Sequence, residues 1–329
     1  MSFLQNLESN VLKGGLLTAL LTGALTLSGT VQAEPLVRVS TSYGSFTIEL
    51  FDETAPDTVS NFLGYVDRGD YARSLFHRSE TDFVVQAGAY QWQRDCVTGM
   101  DPTTCSVIAI PSQGNVRNEP GTSNTRGTLA MAKFGGAPDS ATSQWFVNLA
   151  DNASLDEQNG GFTVFGRILG DGLAVADAIN DLPVINVGGE AQQLPVRDFN
   201  TQQNQLPVEA NLVLINMHRV DRLSSAVNVF EYGNALLTTS VDAGELGNLS
   251  LNMRLVNDGP ELIFDVVPDS IVPLAIAPEG RGVFDAADQR LRLPQIELND
   301  NGQVSVIRNV VMRLADAAQL RFIVESYEE

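Results

Sequence analysis

The run Asn124-Thr125-Arg126-Gly127-Thr128-Leu129-Ala130-Met131-Ala132 decides the fold. Its second half, 128–131, is a short β-like apolar run, and runs of the same kind recur downstream at 144–149 and 162–169. Upstream, Val37 and Val39, then Phe46, Ile48 and Leu50, alternate apolar with polar around the turn Ser42-Tyr43-Gly44-Ser45, which is a hairpin pattern. Only two stretches carry helical spacing. In 55–66, Val59, Phe62, Leu63 and Val66 share one face behind Pro56, and Gly69 ends the helix. Leu173, Val175, Ala176, Ala178 and Ile179 form the second, closed by Leu182-Pro183, and a last strand is expected near 211–220. Two helices among many short strands indicate a mainly β barrel or sandwich with helical caps, not a βαβ sheet.

After about residue 222 helical periodicity disappears. Leu249, Leu251, Met253 and Leu255, then Leu262, Phe264 and Val266, then Val304 and Val306, alternate with polar residues between Asn/Asp/Gly turns. This reads as a small C-terminal all-β domain of sandwich type. At the other end, the apolar run 14–27 after Lys13, followed by Val31-Gln32-Ala33, has the form of a signal peptide cleaved after Ala33. The expected organisation is a signal peptide over 1–33, a first domain over 34–222 and a β-rich accessory domain over 223–329, in a periplasmic or secreted protein. Cys96 and Cys105 lie in a turn-rich stretch and are expected to form a disulfide in that compartment.

Composition excludes several function classes. The 329 residues carry 20 Lys+Arg against 40 Asp+Glu, a net charge of −20, with no basic cluster to hold nucleic acid or an anionic membrane. Both parts share the charge, net −11 over 34–222 and −9 over 223–329. His77 and His218 are the only histidines, too few for a zinc site and outside any nucleophile context, and no phosphate-cradling glycine loop occurs. No metal or cofactor is expected, and no stable membrane insertion.

What remains is a series of aromatic and polar blocks: Phe76-His77-Arg78, Phe83-Val84-Val85-Gln86-Ala87-Gly88, Leu129-Ala130-Met131-Ala132, Ser143-Gln144-Trp145-Phe146, and Leu155-Asp156 leading to Phe162-Thr163-Val164-Phe165-Gly166. In order and spacing, from about Val37 to Val220, they resemble the cyclophilin-type peptidyl-prolyl cis-trans isomerases. With Asp139-Ser140-Ala141-Thr142-Ser143-Gln144, the opening run looks most like the bacterial periplasmic branch. The resemblance implies a closed eight-stranded antiparallel β-barrel capped by two helices. It also implies rotation of X-Pro bonds in proline-containing polypeptides, here unfolded exported proteins, as a folding catalyst.

By the same resemblance Arg78 is the hydrogen-bond donor to the prolyl group, Gln86 orients it, and Phe83 completes the catalytic set. Val84, Phe146, Leu155 and Phe162 match the lining of the proline pocket. Backbone groups of Ala132 and Lys133, with the Gln144 side chain, match those that hold the substrate backbone. Three of these positions depart from residues common in the family: Val84 replaces a methionine, Lys133 an asparagine and Phe162 a histidine. Ser154 stands where eukaryotic members carry a tryptophan that helps bind cyclosporin, which implies weak or no cyclosporin binding. The alternative is a proline-segment binding module or chaperone in which catalysis is incidental; the intact arginine favours catalysis.

Overall fold

The structure, a computed structural model, describes residues 34–92, 107–200, 206–256 and 261–329. The expected signal peptide and the Cys96–Cys105 disulfide lie outside the described residues. Among those described, no helix is long and apolar enough to cross a membrane.

The alternating segment 36–50 folds as expected into a hairpin, β1 (Leu36–Thr41) against β2 (Gly44–Leu50), with Val39 opposite Phe46. The chain then forms helix α1 (Pro56–Arg68), starting on a proline whose fixed φ suits a first turn. Glu119 accepts from the Asp57 and Thr58 amides, two of the donors a helix start leaves unpaired. Val59, Phe62, Leu63 and Val66 are buried, and Gly69 ends the helix at φ 76°. Short strands follow: β3 (Ser74–Leu75), β4 (Arg78–Glu80), β5 (Val84–Ala87), β6 (Tyr90–Trp92) and β7 (Val107–Ala109). Next come β8 (Thr128–Met131), β9 (Trp145–Asn148) and β10 (Val164–Ile168), then helix α2 (Leu173–Asn180). A small hairpin of β11 (Val184–Ile185) and β12 (Leu194–Pro195) precedes β13 (Leu214–Val220), which pairs with β1 as the expected last strand.

The first sheet runs β4-β5-β9-β8-β10-β2-β1-β13-β3-β6-β7. The expectation of a closed ring of eight strands is corrected: this is an open order of eleven strands, a half-barrel. The physical reason lies in residues 74–80, where one extended segment divides its partners. Leu75 pairs with Leu214 of β13, whereas Arg78 pairs with Gln86 of β5. The two residues between them, Phe76 and His77, send their amides to opposite sides, to the Val213 and Gln86 carbonyls. Chain continuity, not a ladder, links the two regions, and β6 and β7 extend the sheet beyond them. The core inside this sheet contains Val39, Ile48, Phe62, Phe76, Leu129, Trp145 and Phe165. Phe62 meets Phe165 and Trp145 at ring-centroid distances of 5.0 and 6.3 Å, the range of favourable aromatic pairs.

The C-terminal part is all β, as read from the sequence. Its eight strands are β14 (Val229–Glu231), β15 (Leu236–Asp242), β16 (Asn248–Val256), β17 (Ile263–Pro273), β18 (Gly282–Asp285), β19 (Arg290–Asp300), β20 (Gln303–Asp316) and β21 (Arg321–Glu328). They make a single sheet ordered β14-β15-β16-β17-β21-β20-β19-β18, whose ends are joined by parallel pairings β14–β19 and β15–β18. It is therefore one sheet curled on itself, not the expected two-sheet sandwich. It packs on the first sheet: Val272 sits in a cluster with Leu75, Trp92 and Leu214, and the Ala275 amide donates to the Ser42 carbonyl at 2.7 Å.

His218 of β13 lies in this seam, with Nε2 3.0 Å from Thr238 Oγ1. Burial first, and Arg38 second, push its pKa down to about 3. Glu231 of β14 moves the other way, to about 7, because burial outweighs its bond from Asn299. The imidazole therefore folds neutral. As pH falls from 7 to 5 the unfolded chain protonates His218 and the folded chain does not, which removes stability; Glu231, holding its proton more tightly when folded, adds stability over the same window. Urea unfolding of wild type and His218→Gln at both pH values separates the two: the variant is expected to lose less stability on acidification than wild type, by about 2 kcal/mol. Equal losses would contradict the assignment.

Candidate active site

Strand alternation builds the site. Successive residues of a strand point to opposite faces, so residues alternate between the core and the outer face. On β5, Val85 and Ala87 enter the core while Val84 joins an outer apolar cluster. On β9 the same holds for Trp145 and Val147 against Phe146, on β8 for Leu129 and Met131 against Ala130, and on β10 for Phe165 against Val164. The registers then align Arg78 with Gln86, Gln86 with Phe146, Phe146 with Ala130 and Ala130 with Val164, one row across five strands. Buried Leu155 and partly buried Phe51, Phe83, Ala132 and Phe162 complete the cluster. Phe146 and Phe162 meet edge to face at 5.9 Å.

At the polar end of the row, Arg78 Nη1 donates to Gln86 Oε1 at 3.2 Å and Nη2 is paired with Glu80. The guanidinium carbon lies 5.9 Å from the Phe83 ring centroid. Gln86 Nε2 donates to Gln144 Oε1 at 2.8 Å, and Gln144 Nε2 to a carboxylate oxygen of Glu190. His77 sits behind the arginine, fully buried, with its ring 5.7 Å from Tyr90. Burial first and Arg78 second hold its pKa down to about 4, while Gln144 acts slightly in the other direction. The ring is thus neutral and carries no solvent-facing proton.

The predicted residues therefore fall into three groups. Arg78, Gln86 and Gln144 form one hydrogen-bonded chain; Phe83, Val84, Phe146, Leu155 and Phe162 share one apolar cluster; Ala132 borders that cluster. The Ala132 amide is spent on the Gln144 carbonyl at 2.9 Å, which leaves its carbonyl as the backbone group outside that bond. The Lys133 side chain is tied down, with Nζ donating to the Asn159 carbonyl at 3.0 Å and the Gly161 carbonyl at 2.5 Å, and lying 4.9 Å from the Phe162 ring centroid. Burial lowers its pKa, partly offset by Asp139.

Sequence reasoning missed the supports. Asn148 donates to Asn124 and Thr128; Asn152 donates to Asn148 and to the Phe83 carbonyl at 3.0 Å; Asn124 donates to Asp156 and the Phe162 carbonyl. This network ties the backbone of two aromatics of the cluster, Phe83 and Phe162, to β8 and β9. An asparagine inside an otherwise apolar strand run, at 148, was the available signal, since a buried amide needs partners. Ser123 first, then Asn124, hold the Asp156 carboxyl below its ordinary range. Gly161, at φ 78°, packs so closely that a Cβ there would stand 2.7 Å from the Asp156 carbonyl oxygen. Glu80 lies two residues from Arg78 on the same strand face, whereas Glu190 comes from a distant loop with no local signal. Among the described residues, no group of three or more His, Cys, Asp and Glu is arranged to hold a metal.

Comparison with known proteins bears on the family of the chain. The family described as "Cyclophilin type peptidyl-prolyl cis-trans isomerase/CLD" matches residues 36–201. A peptidyl-prolyl cis-trans isomerase of Acinetobacter baylyi is 36% identical over 172 residues, 52% of this chain and 85% of the relative. Peptidyl-prolyl cis-trans isomerase A of Dickeya dadantii is 38% identical over 46% of this chain and 74% of its own length. A solved structure, the Cryptosporidium parvum cyclophilin type peptidyl-prolyl cis-trans isomerase, aligns with a TM-score of 0.41 at 22% identity, covering 58% of this chain and 99% of that one.

The straps on Lys133 generate a prediction. Lys133→Met keeps the aliphatic stem and removes two hydrogen bonds to the loop that carries Phe162, so denaturant unfolding is expected to show a loss of about 1 kcal/mol. Unchanged stability would mean that the ammonium does not hold the loop.

Proposed function

This chain belongs to the cyclophilin-type peptidyl-prolyl cis-trans isomerase family, and we propose that Arg78 is the group with which it lowers the barrier to X-Pro rotation. That barrier, about 20 kcal/mol, arises from loss of amide resonance as the bond twists. The prolyl nitrogen then regains a lone pair, which a hydrogen-bond donor stabilises only in the twisted state. Binding of this kind raises rate rather than affinity alone. No covalent bond forms or breaks, so no nucleophile or proton transfer is required.

The observation that carries the reading is the row joining Arg78 through Gln86 to Phe146. It sets a charged donor at the edge of an apolar cluster, the kind of surface a proline ring packs on. The guanidinium offers five N–H donors in a fixed plane; Gln86 and Glu80 engage two of its nitrogens and fix its orientation. The substrate ring occupies the space bordered by Phe83, Phe146, Leu155 and Phe162. The substrate backbone lies against the Ala132 carbonyl and the Gln144 amide.

The setting is the folding of exported proteins in the periplasm or outside the cell, supported by the leader-like sequence of 1–33 and the resemblance of 124–144 to the periplasmic branch. Residues 223–329 act as an accessory domain fixed to the catalytic one. The exposed serine at 154 gives cyclosporin no aromatic surface to pack on.

Two measurements test the proposal. In a protease-coupled assay on a Pro-containing peptide, Arg78→Ala is expected to lower kcat/KM on the order of 100-fold, the cost of losing a donor aimed at a transition state; a variant as active as wild type contradicts the role of Arg78. In the same assay cyclosporin is expected to inhibit only weakly, and stoichiometric inhibition contradicts the reading of Ser154.

A further inference from the structure

The hydrogen-bond chain that starts at Arg78 does not stop at the two glutamines. We infer that Glu190 is a positioning residue for the isomerase reaction: its carboxylate terminates the chain Arg78–Gln86–Gln144 and holds the Gln144 amide in the sense that Arg78 imposes from the other end. The inference rests on the reading of Arg78 given above.

A glutamine amide can be flipped end for end at little steric cost, so its orientation is decided by its partners. Arg78 is donor only, which forces Gln86 to turn Oε1 toward it at 3.2 Å. Gln86 must then present Nε2, and Gln144 answers with Oε1 at 2.8 Å. This leaves Gln144 Nε2 at the far end, where Glu190 accepts from it. The chain thus runs from a cation through two amides to an anion, every link donating in one direction. Such an arrangement polarises each bond in the same sense, and a carboxylate acceptor binds an N–H more strongly than water or a neutral oxygen does. With no acceptor at 190, nothing at the far end opposes reversal of the Gln144 amide, which would turn its NH2 toward Gln86 Nε2 and remove the acceptor that steadies Gln86 beside Arg78.

The loop that carries Glu190 is built to hold it there. Between β11 and β12 the Val187 amide donates to the Ala191 carbonyl at 3.1 Å and the Ala191 amide to Gly188 at 3.0 Å. Gly188 and Gly189 take φ values of 89° and 58°, a tight reversal that glycine makes without strain. Ala191 is buried, which pins one side of Glu190. Two residues further on, the Gln193 carbonyl accepts from the Ser79 amide at 2.8 Å, and Gln193 bridges Arg78 in parallel. The loop is therefore docked on the same strand that supplies the arginine. Glu190 itself is exposed, so its substitution leaves the core untouched.

The test uses the full chain with Glu190→Ala, Glu190→Gln and Arg78→Ala beside wild type. Rates on a Pro-containing peptide are followed by NMR exchange, and the Gln144 side-chain amide is followed by 1H–15N spectra. Glu190→Ala is expected to lower kcat about fivefold with little change in KM, and to move the Gln144 amide resonances upfield. Glu190→Gln, which keeps an acceptor and loses the charge, is expected to recover to within about twofold of wild type. A Glu190→Ala variant with unchanged kcat and unchanged Gln144 resonances, beside an Arg78→Ala variant slowed on the order of 100-fold, overturns the positioning role alone. A rise in KM with kcat constant also overturns it, because Glu190 would then contact substrate. Full activity in Arg78→Ala overturns the reading beneath it and the inference with it.

Discussion

The two-residue period of the β-strand is the constraint on which the rest of the structure depends. Strands β5, β8, β9 and β10 each present apolar residues to both sides, one against the core of the half-barrel and the other against an outer apolar cluster. Trp145 and Val147 cannot serve the core without Phe146 turning outward, and the same holds for Val85 beside Val84 and for Phe165 beside Val164. A slip of one residue in any of these ladders would exchange the two sets. The site therefore inherits its precision from the core, and the large fully buried Trp145 fixes the position of Phe146 as firmly as any contact Phe146 makes itself.

How far the sequence disclosed this arrangement depended on the range of each interaction. The hairpin of 36–50 and both helices were legible because their hydrophobic period is local, and the all-β character of the C-terminal part for the same reason. The blocks around Arg78, Gln86, Phe146 and Phe162 were singled out through resemblance, and the structure brings them together in one row and one cluster. Three features were not legible. The split partnership of residues 74–80, which leaves the sheet open, depends on where Val213 and Gln86 fall in space. The curling of the second sheet depends on two parallel pairings between distant strands. Glu190 reaches Gln144 across 46 residues of sequence, and nothing near it in the chain marks it apart from other exposed acids.

Charge is used sparingly at the site in spite of the net −20 of the chain. Arg78 is held between an amide and Glu80; the one lysine nearby is spent on carbonyls; His77 is buried and neutral. What remains is a cation held at the edge of an apolar cluster. This combination suits a reaction in which a lone pair appears and vanishes without any atom being transferred. The acidic residues elsewhere are distributed over both parts of the chain.

The most direct measurement is a structure of the protein bound to an Ala-Pro-containing peptide. The proline ring is expected against Phe83, Phe146, Leu155 and Phe162, with an Arg78 N–H directed at the prolyl nitrogen at about 3 Å. A ring seated elsewhere, or an arginine that stays on Glu80 and out of reach of the prolyl nitrogen, would contradict this expectation.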